Sequence, residues 1–201
     1  MLQAMQYLVQ KCVLCELGRR RCIEHDTNFD PHVFSTMSIS KFFICGQNPG
    51  FHECLKGEPF VGDAGEFFNE IIQKFNLSRK DFYISNSVKC HTSNNVQPNF
   101  EQISCCEFIL HMEILLLRPK LVITLGAVAF NAFCPNKNMA DHLGNIIKSE
   151  KFGVSIYPIY HPSPRNMQDP VRKKRFIDDI KTLCELIQNI NARKAPIDTD
   201  S

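Results

Sequence analysis

The chain has 201 residues, 44% of them hydrophobic, and a formal net charge of only +2. That length and apolar content suit one folded domain with its own core. The near-balanced charge excludes a uniformly basic, polyanion-coating surface, so any nucleic-acid role must rest on a local patch. No apolar run reaches 18 residues, and MLQAMQYLVQKC lacks the pattern of a secretion signal, so we expect an intracellular protein without membrane contact. In a reducing compartment ten cysteines are poor disulfide formers, and ordered spacing among them points to a metal or cluster.

Residues 1–40 open with a short amphipathic helix leading into Cys12-Val13-Leu14-Cys15. A C-x-x-C sets two thiolates within reach of one metal centre, and two unrelated buried cysteines satisfy the same spacing. Arg19, Arg20 and Arg21 read as a solvated face, and His25 to Ser40 shows no period. Lys41 to Phe68 organises the rest. Its apolar run 41–45 does not alternate and reads as a buried strand. The run breaks at Gly46-Gln47-Asn48-Pro49-Gly50, where the glycines allow a tight turn and close approach of backbone to a ligand. A short loop leads to Pro59-Phe60-Val61-Gly62. Asp63-Ala64-Gly65-Glu66 then has capping-box spacing for a helix over 64–75, with Phe67, Phe68, Ile71, Ile72 and Phe75 as its core stripe.

A second strand covers 81–89, with Asn86 near its C-terminal end, and Cys90 follows. Pro98-Asn99 with Gln102 opens a second long helix that carries Cys105, Cys106, Phe108, Ile109, Met112, Leu115 and Leu116 and stops at Arg118-Pro119. The third strand is 121–125, turning at Gly126-Ala127, and the fourth is 154–160, ending in His161-Pro162-Ser163-Pro164-Arg165. A last helix spans 170–190, facing the core with Phe176, Ile180, Leu183, Ile187 and Ile190. Arg172, Lys173, Lys174 and Arg175 in its first turn oppose the helix dipole, which suits an anionic partner or a solvated face. Residues 1–192 form a single domain and 193–201 a disordered tail. Four strands alternating with helices predict an α/β fold: a three-layer sandwich with a central, mostly parallel four-stranded sheet and helices on both faces. The polar features then gather at C-terminal strand ends, where such sheets bind ligands.

Five motifs in this order, GQNPG (46–50), PFVGDAG (59–65), ISNSVKC (84–90), TLGAVA (124–129) and YHPSP (160–164), resemble the uracil-DNA glycosylase superfamily, most closely its iron–sulfur branch, family 4. The similarity runs from about Cys12 to Cys184. Cys90 and Cys106 stand 16 positions apart, as the third and fourth cluster ligands of that branch do. The resemblance therefore implies Cys12, Cys15, Cys90 and Cys106 as ligands, with Cys105 replacing Cys106 only by a shift of register. Four thiolates fit zinc or a [4Fe–4S] cluster alike, and the resemblance favours a structural cluster. Cys22, Cys45, Cys54, Cys134 and Cys184 read as ordinary buried or loop thiols.

The implied reaction is hydrolysis of the bond between uracil and deoxyribose in single- or double-stranded DNA, by a monomer acting on a flipped base. Phe60, otherwise a core residue, would stack on the uracil. Asn86, otherwise a turn residue, would read its N3–H and O4. His161 would donate to O2 as charge develops on the leaving base. Ser163 would contact phosphate, and Arg165 would either fill the vacated space or hold a phosphate. Position 48 departs from the family's Ala: Asn48 can orient a water but cannot take its proton. Gln47 replaces the family's Glu, and with Gly46 its backbone borders the oxyanion site. Gly50 leaves the space beside C5 open, and Glu53 matches a Glu near that edge. The interval from His91 to Cys105 lacks the insertion with which a related branch traps DNA covalently. The competing readings are a broader mismatch or deaminated-base glycosylase, a non-catalytic DNA-binding module, and a zinc-stapled α/β nucleotide-binding protein.

Overall fold

The computed structural model of the chain describes residues 1–20 and 30–192. Arg21, Cys22, the start of the aperiodic 25–40 stretch and the tail after Ala192 lie outside them. In chain order the elements are α1 (Leu2–Gln10), α2 (Glu16–Arg20), β1 (Phe42–Gly46), α3 (Phe51–Lys56), α4 (Asp63–Gln73), β2 (Tyr83–Asn86), α5 (Phe100–Leu117), β3 (Leu121–Leu125), α6 (Ala127–Phe133), β4 (Ile147–Lys148), β5 (Ser155–Ile159), α7 (Pro164–Met167) and α8 (Pro170–Ala192).

The sheet runs β2-β1-β3-β5-β4, parallel except for β4. Its central strands are apolar at successive positions because both faces are covered. Phe42, Ile44, Ile84, Ile123, Leu125, Tyr157 and Ile159 face α4 and α8, packing on Phe68, Ile72, Phe176, Ile180 and Leu183. The alternate residues Phe43, Cys45, Tyr83, Val122 and Ile156 face α5 and α6, packing on Leu110, Ile114, Phe130 and Phe133. That alternation makes the three layers.

Five strands replace the expected four. β4 is two residues long, paired antiparallel with β5, and too short to leave a period in the sequence. α3 forms where the sequence predicts a short loop. α4 starts without the expected capping box: Gly62 is the N-cap, Asp63 is already helical, and no side chain caps the end. α5 does begin with the expected reciprocal pair, Asn99 and Gln102 each accepting from the other's backbone. On α5, however, Phe108 and Leu115 are 64% and 57% exposed, so the buried face runs instead through Ile109, Leu110, Glu113 and Ile114.

The chain reverses direction across the sheet at β1, which has β2 on one side and β3 on the other. Such a switch point opens a crevice at the C-terminal strand ends. The segment before β1 lies along the outer side of β2: Val33 N–H donates to Lys89 O and Thr36 N–H to Ile84 O, both at 2.9 Å, with antiparallel bridges at His32–Cys90 and Ser35–Ser85. α1 packs on α5 through Met5, Val9 and Ile109.

Candidate active site

The crevice is a cleft of about 910 Å³. β1 contributes the turn that follows it, with Gln47 and Asn48 in the lining, and β2 contributes Asn86. β3 leads to Gly126, and β5 to His161, Ser163 and Arg165; Glu53 and Phe60 come from the connection between β1 and α4. Gly46 stands behind them. A Cβ there would lie 2.5 Å from both Asn86 Oδ1 and the Phe60 ring, so glycine is what lets these two side chains converge.

Phe60 is held in an unusual way. Its φ of +55° is left-handed, a conformation that costs a non-glycine residue about 1–2 kcal/mol. Two opposite charges fix it. The Arg79 guanidinium donates to Pro59 O and Phe60 O, both at 2.7 Å. On the other side, Glu53 Oε1 accepts from the Val61 and Gly62 N–H groups, both at 2.9 Å. Charged hydrogen bonds contribute about 1.5–3 kcal/mol each, so the four together outweigh the strain. Gly65 is required beneath, because a Cβ there would collide with Phe60 O.

His161 faces Phe60 with ring centroids 5.9 Å apart. Burial holds its imidazole down to about 4, against a smaller upward pull from Glu53, so it is neutral at ordinary pH. Its backbone carbonyl accepts from Asn166 Nδ2 at 2.9 Å, and Asn166 Oδ1 in turn accepts from Arg172 at 2.8 Å. Gly126, at φ +86°, passes close beneath: a Cβ would come within 3.1 Å of His161 Cβ.

The Asn48 amide is engaged at both ends. Oδ1 accepts from Gln47 Nε2 at 2.8 Å, and Nδ2 donates to Pro49 O at 3.0 Å and Thr92 Oγ1 at 3.2 Å. Asn86 is 2% exposed, and among the described residues its side-chain amide makes no hydrogen bond. Ser163 and the exposed Arg165 sit at the rim with Arg172, whose guanidinium lies over Tyr160 at 5.7 Å.

A second cluster gathers around Cys90, four residues past the C-terminal end of β2. Cys15, Cys90 and Cys106 are buried together with Leu17 and Val88. Burial raises the Cys90 thiol above its ordinary value, and Cys106, Cys15, Cys12 and Cys54 push it further. Cys106 is pushed up to about 11, chiefly by burial, with the Lys89 N–H and charge pulling the other way. Cys105 is only half-buried and turns towards Leu14 O. No three His, Cys, Asp or Glu side chains among the described residues stand at single-ion spacing. Cys45, Cys54, Cys134 and Cys184 are buried and free.

Every residue expected in the cleft from the sequence is on its wall, save Gly46, which makes room for two of them. The sequence does not mark Arg79, Asn166 or Thr92 as parts of the site. Arg79 and Thr92 act on partners 19 and 44 positions away, which no local pattern marks, and Asn166 acts on the His161 carbonyl, a backbone atom without a residue-specific signal.

A family model described as the Uracil DNA glycosylase superfamily matches residues 35–182. Among curated proteins the chain is 31% identical over 185 residues to a type-4 uracil-DNA glycosylase of Archaeoglobus fulgidus, covering 89% of each chain. It is 30% identical to those of Thermotoga maritima, over 82% of this chain and 84% of that one, and of Saccharolobus solfataricus, over 82% and 77%.

Proposed function

Because the chain belongs to the uracil-DNA glycosylase superfamily, we propose that it is a monofunctional uracil-DNA glycosylase of DNA repair. It would flip uracil from DNA and hydrolyse the bond to deoxyribose, leaving an abasic site. The observation that carries this reading is the convergence of Phe60, Asn86 and His161 on one cleft, with Gly46 leaving room between the first two.

In that cleft the uracil stacks on Phe60, and the unpartnered Asn86 amide pairs with N3–H and O4. Cytosine presents another donor–acceptor order and would leave a buried amide unsatisfied. The C1′–N1 bond breaks with its electron pair moving onto the base, and neutral His161 donates to O2 as the charge grows there. Removing one such donor costs about 10²–10³ in rate. Water then adds at C1′ and loses its proton to solvent. Asn48, bound on both sides, orients that water or the turn and is no base. Glu53 lies towards the C5 edge with Oε1 already bonded. Ser163 and Arg165 meet the DNA backbone at the rim.

The second cluster fits a [4Fe–4S] group by its donors: Cys15, Cys90 and Cys106, buried in one apolar corner, with half-buried Cys12 three positions before Cys15. Buried thiols with raised pKa values would lose their protons to solvent there only as a cation took the protons' place. The group would supply cross-linking of the N-terminal segment to the loop after β2 and no step of the chemistry. Zinc is the competing occupant.

The test is cleavage of a labelled oligonucleotide with one uracil, read after alkali under single-turnover conditions. We expect cleavage by the wild type, with His161→Ala losing more than Asn48→Ala. Binding without cleavage would favour a DNA-binding module, and equal or reversed losses would refute the roles given to the two residues.

A further inference from the structure

Lys89 and Glu113 are 1% and 0% exposed and form an ion pair at 2.5 Å. A buried pair is a poor source of stability: its desolvation cancels most of the attraction, and apolar residues of the same volume serve as well or better. What apolar residues cannot supply is directed hydrogen bonds. Lys89 Nζ spends its three donors on Glu113 Oε2, on Ser85 Oγ at 2.8 Å and on the Asn86 carbonyl at 2.5 Å. Glu113 Oε1 accepts from Tyr83 and Ser85 hydroxyls, both at 2.7 Å. Apart from each other, every hydrogen-bond partner of the two side chains lies on β2, the strand that ends in Asn86.

Glu113 stands on α5, one helix away from the cleft, and Lys89 follows the strand directly. The pair therefore ties the last peptide of β2 to the helix behind the sheet. We infer that Lys89 and Glu113 are positioning residues that fix the Asn86 peptide, and through it the amide that reads the base. The inference rests on the proposed role of Asn86.

A double-mutant cycle tests it. The pair is replaced by Lys89→Met with Glu113→Leu, alone and together with Asn86→Ala. Single-turnover uracil release is measured beside thermal unfolding and visible absorption. We expect a folded pair variant slowed by about tenfold to a hundredfold, and no further loss when it is added to Asn86→Ala. A folded pair variant with the wild-type rate, or one whose loss multiplies with that of Asn86→Ala, would overturn the inference. Should the pair variant not fold, Tyr83→Phe with Ser85→Ala leaves the ion pair whole while removing both hydroxyls that tie Glu113 to β2. The same absence of further loss is expected there, and multiplied losses would again refute the inference. If Asn86→Ala alone keeps the wild-type rate, the assignment of Asn86 is what fails, and the cycle separates that outcome from the others.

Discussion

His161 shows how one side chain's surroundings set its chemistry. An imidazole held down to about 4 keeps a single N–H to give and carries no charge to waste on water. The same shift links to stability. Between the ordinary 6.5 and about 4, the unfolded chain binds a proton that the native site refuses, so stability falls as pH falls through that window. Urea midpoints measured from pH 7 to pH 4 should decline, and His161→Gln should flatten the decline. An unchanged slope would mean that other groups produce it. At this scale the sequence was informative where a residue's own neighbours in the chain declare it: His161 in HPSP, Asn86 at a strand end, Phe60 before Val-Gly. Arg79 and Glu113 are illegible because their partners lie at least 19 residues away or are backbone atoms, which carry no residue-specific signal, and Lys89 because its counter-ion stands 24 residues on.

At the level of elements, the turn after β1 and the loop before α4 work as one unit. Gly46 leaves room, Gly65 leaves room, and the opposed charges of Arg79 and Glu53 hold the backbone between them. Gly46→Ala should leave the sheet intact, since its φ is ordinary, yet push the Phe60 ring and the Asn86 amide apart. Uracil release should fall by about tenfold or more while the melting temperature stays within a few degrees; a retained rate would show that the two side chains can separate without harm. The core strands were readable from their unbroken apolar runs. β4 and α3 were not, because two residues and one and a half turns are too short for a period to appear.

Across the whole molecule, two centres follow one another along a single segment. β2 ends at the cleft with Asn86, and four residues later Cys90 enters the thiol corner. On the proposed [4Fe–4S] reading, Cys90→Ser should lose iron and visible absorption and melt at lower temperature, whereas Cys184→Ser, in the core away from that corner, should keep its iron. Equal iron content in the two variants would dissociate Cys90 from the cluster. The three-layer plan was legible from the strand–helix alternation, but which helix face is buried on α5 was not, since that helix is apolar almost all round.

The covering of β2 by residues 32–36 has a consequence for handling the protein. An uncapped parallel edge offers a row of free N–H and C=O groups to any other chain. A chain begun at Lys41 keeps every residue of the cleft but bares the Ile84 N–H and the Ile84 and Lys89 carbonyls, which Thr36 and Val33 now occupy. Light scattering should find that truncated chain self-associating as its concentration rises, and the full chain not. The N-terminal segment is thus also a guard on solubility, keeping a sheet that must stay open at one end for DNA from opening sideways to its own copies.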